Sequence, residues 1–499
     1  MNIQIDTFDF VFLIVYACLL VFLSAYGFHR YYLAFLYYKH KKTNDDPKER
    51  WSNLPKVTIQ LPIFNEMFVV DRLVSATCGI RYPRELLEIQ VLDDSTDETV
   101  EIAKKCVERW KAEGINIVHI HRTNREGFKA GALEEGMAVA HGEFLAVFDA
   151  DFVPQPDFLE NTIHHFTDDG IGMVQVRWDH LNRDYSLLTR AQAVLLDGHF
   201  IIEHTARNRS GRFFNFNGTA GIWRRQAIVD GGGWQHDTLT EDLDLSYRAQ
   251  LAGWRFRFLP GVLSPAEVPV EMNSFKSQQH RWAKGSIQTA MKVLPRLLRS
   301  KLPWKVKSEA LFHLTNNVAY LFMVVLCLIM PASIAIRAGL VTEANSWLMF
   351  IDLPAFLLAT ISICFFYYVC QREAGVNQWG RIKYLPVVLA IGIGLCINNT
   401  RAVIEALIGH RSGFTRTPKY GIVGTGDVSW KNRINYHRVK NWLPFVEVAI
   451  GLWFVYGVYE AIACGAWVAF PFMLLFQFGF LYMGIMSLIQ TRTGIGRLN

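Results

Sequence analysis

Apolar runs decide the architecture of this chain before any motif does. They span residues 8–27, 311–336, 347–369, 443–463 and 466–489, and each is close to the ~20 residues that a helix needs to cross a bilayer. Between the first run and the second, residues 45–300 change character: charges are frequent, apolar stretches are short and turn signals recur. That stretch reads as one soluble domain of ordinary size. The 51% hydrophobic content, with 35 Phe and 14 Trp, exceeds what one soluble core uses, so part of the chain is expected in lipid.

Charge sets the expected topology. Asp6 and Asp9 precede the first run, with no basic leader and no small-residue cleavage signal, so a retained helix is expected rather than a removed signal. His29-Arg30 and Lys39-His40-Lys41-Lys42 follow it, which places the N-terminus outside and the soluble domain in the cytoplasm. In a bacterial cell the protein would be an integral, multi-pass protein of the plasma membrane. The run 384–408 differs from the others, because Asn398, Asn399, Arg401 and Glu405 occupy its second half; it reads as an amphipathic interfacial helix. With five crossings, the basic loop 410–440 and the tail bearing Arg492 and Arg497 also face the cytoplasm. The net charge of +6 is modest and sits beside the apolar runs, which suits a membrane surface and not nucleic acid. The eight cysteines form no C-x-x-C pair and read as reduced packing residues. Three parts follow: an N-terminal helix with a basic flank (1–44), the soluble domain (45–300) and a C-terminal membrane region (301–499).

The first half of the soluble domain alternates. Short apolar runs at 57–64, 88–92, 117–121 and 144–148 alternate with helical spacing at 69–79, 97–113 and 127–139. This is the pattern of βαβ units and a mostly parallel sheet. Ligands in such sheets lie beyond the carboxyl ends of the strands, where Asn65-Glu66, Asp93-Asp94 and Asp149-Ala150-Asp151 fall.

Several motifs carry chemistry. Asp149 and Asp151, one residue apart at a strand end, point to one side and can hold Mg2+ or Mn2+ with a diphosphate; a polar turn is the competing reading. Asp94 is placed to accept from a nucleobase or ribose, although Asp93-Asp94-Ser95-Thr96 also suits a helix cap. Lys129 near a helix start suits phosphate, or is simply solvated there. Asn217-Gly218-Thr219-Ala220-Gly221 lets backbone approach a ligand closely, or is a plain turn. Thr240-Glu241-Asp242 and Gln278-Gln279-His280-Arg281-Trp282 group two carboxylates, an amide, a guanidinium and an indole. Asp242 could act as a general base, Arg281 could grip a phosphate bidentately, and Trp282 offers a face for a sugar ring. A surface turn followed by a half-buried helix is the alternative.

Taken in order, Pro62-Ile-Phe-Asn-Glu66, Val91-Leu-Asp-Asp-Ser-Thr-Asp97, Lys129-Ala-Gly-Ala132, Asp149-Ala-Asp151, Asn217-Gly-Thr-Ala-Gly221, Thr240-Glu-Asp242 and Gln278-Gln-His-Arg-Trp282 resemble the signature of glycosyltransferase family 2 membrane synthases. The wording most resembles cellulose-synthase-like proteins that make β-mannan, glucomannan or a β-glucan. The resemblance covers residues 55–295. It implies an α/β GT-A fold with a Rossmann-like sheet, a nucleotide-sugar donor such as GDP-mannose or UDP-glucose, a Mg2+ or Mn2+ cofactor, and inversion at the transferred sugar. The implied product is a growing β-linked polysaccharide, coupled to passage across the membrane.

By the same resemblance Asn65, Glu66, Asp93, Asp94 and Lys129 would serve the nucleotide and diphosphate, with Asp149, Gln278 and Arg281. Asp149 and Asp151 would hold the metal, and Asp242 would be the catalytic base. Gly218, Thr219, Glu241 and Trp282 would lie on the acceptor side. Within 414–419, Phe414, Arg416, Thr417 and Lys419 are similar to the gating loop of processive synthases; Arg416 stands where those enzymes usually have a small apolar residue. A loop that only binds anionic headgroups is the competing reading. Three other functions compete: a glycolipid synthase using a ceramide or diacylglycerol acceptor, a non-catalytic nucleotide-sugar receptor, and a transporter. The last is disfavoured by the few ionisable residues in the best crossings. The sequence names no partner protein.

Overall fold

The computed structural model describes residues 7–44, 46–340, 353–375, 377, 382–410, 413, 416–425 and 442–493. The soluble domain is built on seven strands: β1 (Val57–Ile63), β2 (Leu87–Asp93), β3 (Ile117–His121), β4 (Phe144–Val147), β5 (Ile171–His180), β6 (Gly221–Arg224) and β7 (Arg255–Ala266). They form one sheet in the order β3-β2-β1-β4-β6-β5-β7. The pairs among β1 to β4 are parallel, as is β5 with β7, while β6 runs antiparallel to both neighbours. The sheet is therefore mixed and mostly parallel.

Helices cover both faces, so the strands are buried on both sides and alternation in hydropathy is lost. In β1 and β2, Val57, Ile59, Leu61, Ile89 and Val91 fill one face. On the other, Thr58 bonds Glu88 at 2.6 Å and Gln60 bonds Gln90 at 3.1 Å across register-matched positions. These bonds offset part of the cost of burying polar side chains between the layers.

Among the described residues, four helices are long and apolar enough to cross a membrane: Asp9–His40, Trp304–Gly339, Leu443–Ala463 and Phe470–Gln490. Residues 347–352 of another expected crossing lie outside the described residues; the rest of that run is helical from Leu353 to Glu373 with a π-helical stretch at Leu357–Ile361. The expected interfacial helix is a bent pair, Leu385–Gly394 and Cys396–Leu407, at 42°. Its two halves differ in chemistry. The first is apolar and packs on Phe470–Thr493; the second turns its polar residues onto the long helix Met272–Arg299 of the soluble domain. Asn398 donates to the Lys276 carbonyl at 2.9 Å, and Lys284 pairs with Glu405 at 3.0 Å. Asn398, Asn399 and Glu405 are thus buried in a seam between domain and membrane helices, while Arg401 stays exposed.

Candidate active site

The carboxyl ends of β1, β2 and β4 open onto one cavity of about 200 Å³. Glu66, Asp94, Lys129, Asp149, Asp151, Gly218, Glu241, Asp242, Gln278, Arg281, Trp282, Arg416, Thr417 and Lys419 line it together. Asn65, Asp93 and Thr219 stand behind it, and Phe414 lies outside the described residues. Residues spread over some 350 positions of sequence therefore converge on one place.

The local folding explains each placement. After β1 the chain turns at Asn65, with φ of 56°, and the turn is fixed by reciprocal bonds: the Asn65 N–H donates to Ser95 Oγ and the Thr96 N–H to Asn65 Oδ1, both at 2.8 Å. Asp94 at the end of β2 is gripped by Arg122 through two bonds of 2.7 Å, the fork geometry that suits a guanidinium. At the end of β4 the Asp149 N–H donates to Thr219 Oγ1 at 2.8 Å. Thr219 thus fixes the backbone at Asp149 from behind.

Lys129 is not a solvated helix-start residue. Its ammonium lies 2.5 Å from Asp149 Oδ1 and 2.9 Å from the Gly218 carbonyl. Burial alone would lower its pKa, but Asp149, Glu241 and Asp242 raise it, so the cation is retained. Gly218, at φ of 80°, admits nothing larger: a Cβ there would come within 2.9 Å of Asp242 Oδ2. The small-residue segment is therefore a close approach to the site and not merely a turn.

Thr240-Glu241-Asp242 opens the helix Glu241–Leu251, where acidic first-turn residues suit the helix dipole. Asp242 Oδ1 accepts the Leu243 N–H at 2.8 Å. Burial and then the neighbouring Glu241 push the Asp242 carboxyl up to about 7, near the value that suits a base at neutral pH. Met272–Arg299 crosses this helix closely at Gly285, where a Cβ would meet Thr240 at 2.5 Å. Positions 278, 281 and 282 share one face of that helix, so Gln278, Arg281 and Trp282 all reach the cavity. Burial lowers Arg281 only to about 10, which leaves it charged. The segment is a half-buried helix, and these three of its residues line the cavity.

The loop 416–420 closes the cavity. Arg416 grips Glu66 through two bonds, one of 2.8 Å from Nε. Arg281 donates to Thr417 Oγ1 at 2.9 Å, and the Lys419 ammonium lies 2.5 Å from Asp151 Oδ2. Arg416, the departure from the gating-loop pattern, is thus the residue that latches the loop to the end of β1.

A second cavity of about 310 Å³ adjoins the first, with Asn217, Thr240, Asp242, Gln278 and Trp282 lining both. Its far wall is Tyr26, His29 and Arg30 of the N-terminal helix, with His199, Glu203, Arg207 and His313. Sequence reading missed this wall, and also Arg122 and Arg125; the Arg125 guanidinium lies 3.3 Å above the Phe64 ring, and both line the first cavity. Arginines in Arg122-Thr123-Asn124-Arg125 carry a signal only once Asp94 and Phe64 are known to be neighbours.

A mixed α/β sheet with carboxylates at its strand ends and at a helix start, and cations facing them, has the GT-A glycosyltransferase fold. Residues 55–285 match the family described as glycosyltransferase like family 2. The chain is 42% identical over 305 residues to glucomannan 4-beta-mannosyltransferase 1 of Oryza sativa subsp. japonica, covering 58% of each protein. It is 44% identical over 270 residues to glucomannan 4-beta-mannosyltransferase 2 of Arabidopsis thaliana, covering 53% of this chain and 50% of that protein. The chain thus spans 50% to 58% of the length of these relatives. Among solved structures, mannosyltransferase PcManGT from Pyrobaculum calidifontis, in complex with GDP-Man and Mn2+, superposes with a TM-score of 0.51 at 19% identity, covering 79% of this chain and all of that one. At that identity the likeness speaks for the fold alone.

Proposed function

We propose that this chain transfers mannose from GDP-mannose to the end of a growing β-1,4-linked mannan or glucomannan, with inversion, from the cytoplasmic side of a membrane. The observation that carries the reading is the position of Asp242 between two cavities. The relatives' names supply the sugar and linkage, and the basic flank after the first helix supplies the side of the membrane.

The donor occupies the first cavity. Asp94, held by Arg122, accepts from the nucleoside, while Lys129, Gln278, Arg281 and Lys419 face the diphosphate. The two carboxylates of Asp149-Ala150-Asp151 fit a hard divalent cation: both line this cavity, and each already carries a lysine ammonium as counter-charge. Asp149 and Asp151 would hold Mg2+ or Mn2+, which supplies positive charge to the leaving diphosphate. The acceptor sugar stacks on Trp282 and presents its hydroxyl to Asp242 from the second cavity. Asp242 takes the hydroxyl proton as the oxygen displaces the nucleoside diphosphate from the opposite face, so an α-linked donor gives a β-link. The loop 416–420 opens to admit donor and closes over it.

The test is turnover of the purified chain with GDP-mannose and with UDP-glucose, in Mg2+ or Mn2+. The expected product forms from GDP-mannose, stops with EDTA and is digested by an endo-β-mannanase. A single-sugar lipid extracted wholly into chloroform–methanol would replace this reading with a glycolipid synthase. Donor binding without release of nucleoside diphosphate would replace it with a receptor.

A further inference from the structure

Asp93 and Asp94 are neighbours in sequence with opposite fates. Asp94 turns into the donor cavity and is neutralised by Arg122. Asp93 points to the outer edge of the sheet, is fully buried, and among the described residues has no lysine or arginine within ion-pair distance. A buried carboxylate without a counter-charge is costly. What faces it instead is a pair of imidazoles.

His119 and His121 lie at i and i+2 on the edge strand β3, so both point to one face of the sheet. His121 is the residue directly across from Asp93 in the β2–β3 register. His119 Nε2 is 2.8 Å from Asp93 Oδ2 and His121 Nδ1 is 3.6 Å from the same oxygen. One donor atom from each of the three residues falls within 4.8 Å of the others. Ligands at zinc distances on a tetrahedron stand about 3.4 Å apart, a value that these two distances bracket. The other carboxylate oxygen, Oδ1, accepts the Ser95 N–H at 2.8 Å, the backbone support that orients a metal-binding carboxylate. His121 is 34% exposed, which gives an ion a way in and leaves room for a water as fourth ligand.

We propose that Asp93, His119 and His121 form a second metal site, separate from the catalytic carboxylates, that takes a divalent transition metal of the Zn2+ class. The two sites select by chemistry: two imidazoles and one carboxylate suit Zn2+, Co2+ or Ni2+, whereas the paired carboxylates of Asp149 and Asp151 suit Mg2+ or Mn2+. The ion supplies the missing counter-charge of Asp93. It also ties the end of β3 to the turn at Ser95, whose hydroxyl accepts the Asn65 N–H at 2.8 Å, and so braces the turn that presents Asp94. The three residues act as positioning residues and touch no substrate.

The experiment titrates chelator-stripped, detergent-purified full chain with Zn2+ by calorimetry and with Co2+ by visible absorption, in millimolar Mg2+ to fill the carboxylate pair. One equivalent is expected, with the Co2+ absorption of a low-coordinate nitrogen–oxygen site. His119→Ala and His121→Ala each weaken it by at least about tenfold, while His141→Ala, at an exposed imidazole elsewhere, leaves it unchanged. His121→Gln serves where the alanine variants fold poorly. Zn2+ binding that is absent from the wild type, displaced by Mg2+ or unchanged in both His119 and His121 variants overturns the proposal.

Discussion

The two cavities that meet at Asp242 are charged in different ways. In the first cavity three acids each pair with a cation from a distant element: Asp149 with Lys129, Asp151 with Lys419, Glu66 with Arg416. These pairs sit at the cavity surface, where a diphosphate and its metal can replace either partner. The wall of the second cavity is one connected network. His29 meets Glu309 at 3.0 Å, Glu309 meets Arg207 at 2.9 Å, Arg207 meets Glu203 at 3.1 Å, and Glu203 meets Arg30 at 3.2 Å. It joins the N-terminal helix, the π-helical stretch Gly198–His204 and the helix Trp304–Thr315. Burial would raise the Glu203 carboxyl, but Arg207, His199 and Arg30 hold it well below the ordinary range. Exchangeable pairs suit a ligand that enters and leaves each cycle; a fixed wall suits one that slides past.

The largest effect falls where the cavities join. Asp242→Asn keeps the shape of both and removes the base, so turnover should drop by on the order of 10²–10⁴ with donor affinity nearly unchanged. Steady-state kinetics beside donor binding by calorimetry checks this, and comparable turnover would take Asp242 out of the mechanism.

Next comes the contrast itself. Arg207→Met leaves Glu203 and Glu309 buried without their shared cation, at a cost of about 3–5 kcal/mol in stability. Arg416→Ala should cost far less in the ligand-free protein, because Glu66, already pushed up to about 7 by burial, can take a proton when its partner goes. Thermal unfolding of the two variants side by side would break the comparison if their losses were equal.

These contrasts mark what a sequence can reveal. Strands β1 to β4 and their helices were legible because each is a short apolar run ending in a turn, and three of the seven motifs fall at the ends of β1, β2 and β4. Strands β5 to β7 were not foreseen, since β6 is four residues long and β7 carries Pro260, Gly261 and Pro265 within its span. Most charged residues of the first cavity were readable as motifs. The second wall was not, because His29, Arg30, Glu203, Arg207 and Glu309 come from three segments that only tertiary packing brings together, and no local spacing marks them. Asp93 was grouped with Asp94 for the nucleotide, yet strand alternation sends it to the other side, toward His119.

Trp282→Ala tests whether the shared residues serve the acceptor. Loss of a stacking face worth about 0.5–1.5 kcal/mol should raise the acceptor KM by roughly two- to thirteenfold, with donor KM little changed. An equal rise in both would assign the indole to the donor cavity instead.

The smallest effect is a shift in pH dependence, and it reads the electrostatics of the junction directly. Asp242 must be ionised to take a proton, and its carboxyl is held near 7 by burial and by Glu241, with Lys129 acting in the opposite sense. Activity should therefore rise with pH, reach half its plateau near 7 and flatten above, whereas an ordinary aspartate at about 3.9 would give a flat profile from pH 5 upward. Glu241→Gln removes the second cause but not the burial, so the midpoint should move down without returning to the ordinary value. Lys129→Met removes a cation that favours the carboxylate, so the midpoint should move up. Profiles normalised to their own plateaus separate these shifts from any loss of substrate binding. A midpoint that stays fixed in both variants would mean that the titrating group is not Asp242, and that the proton leaves the acceptor by another route.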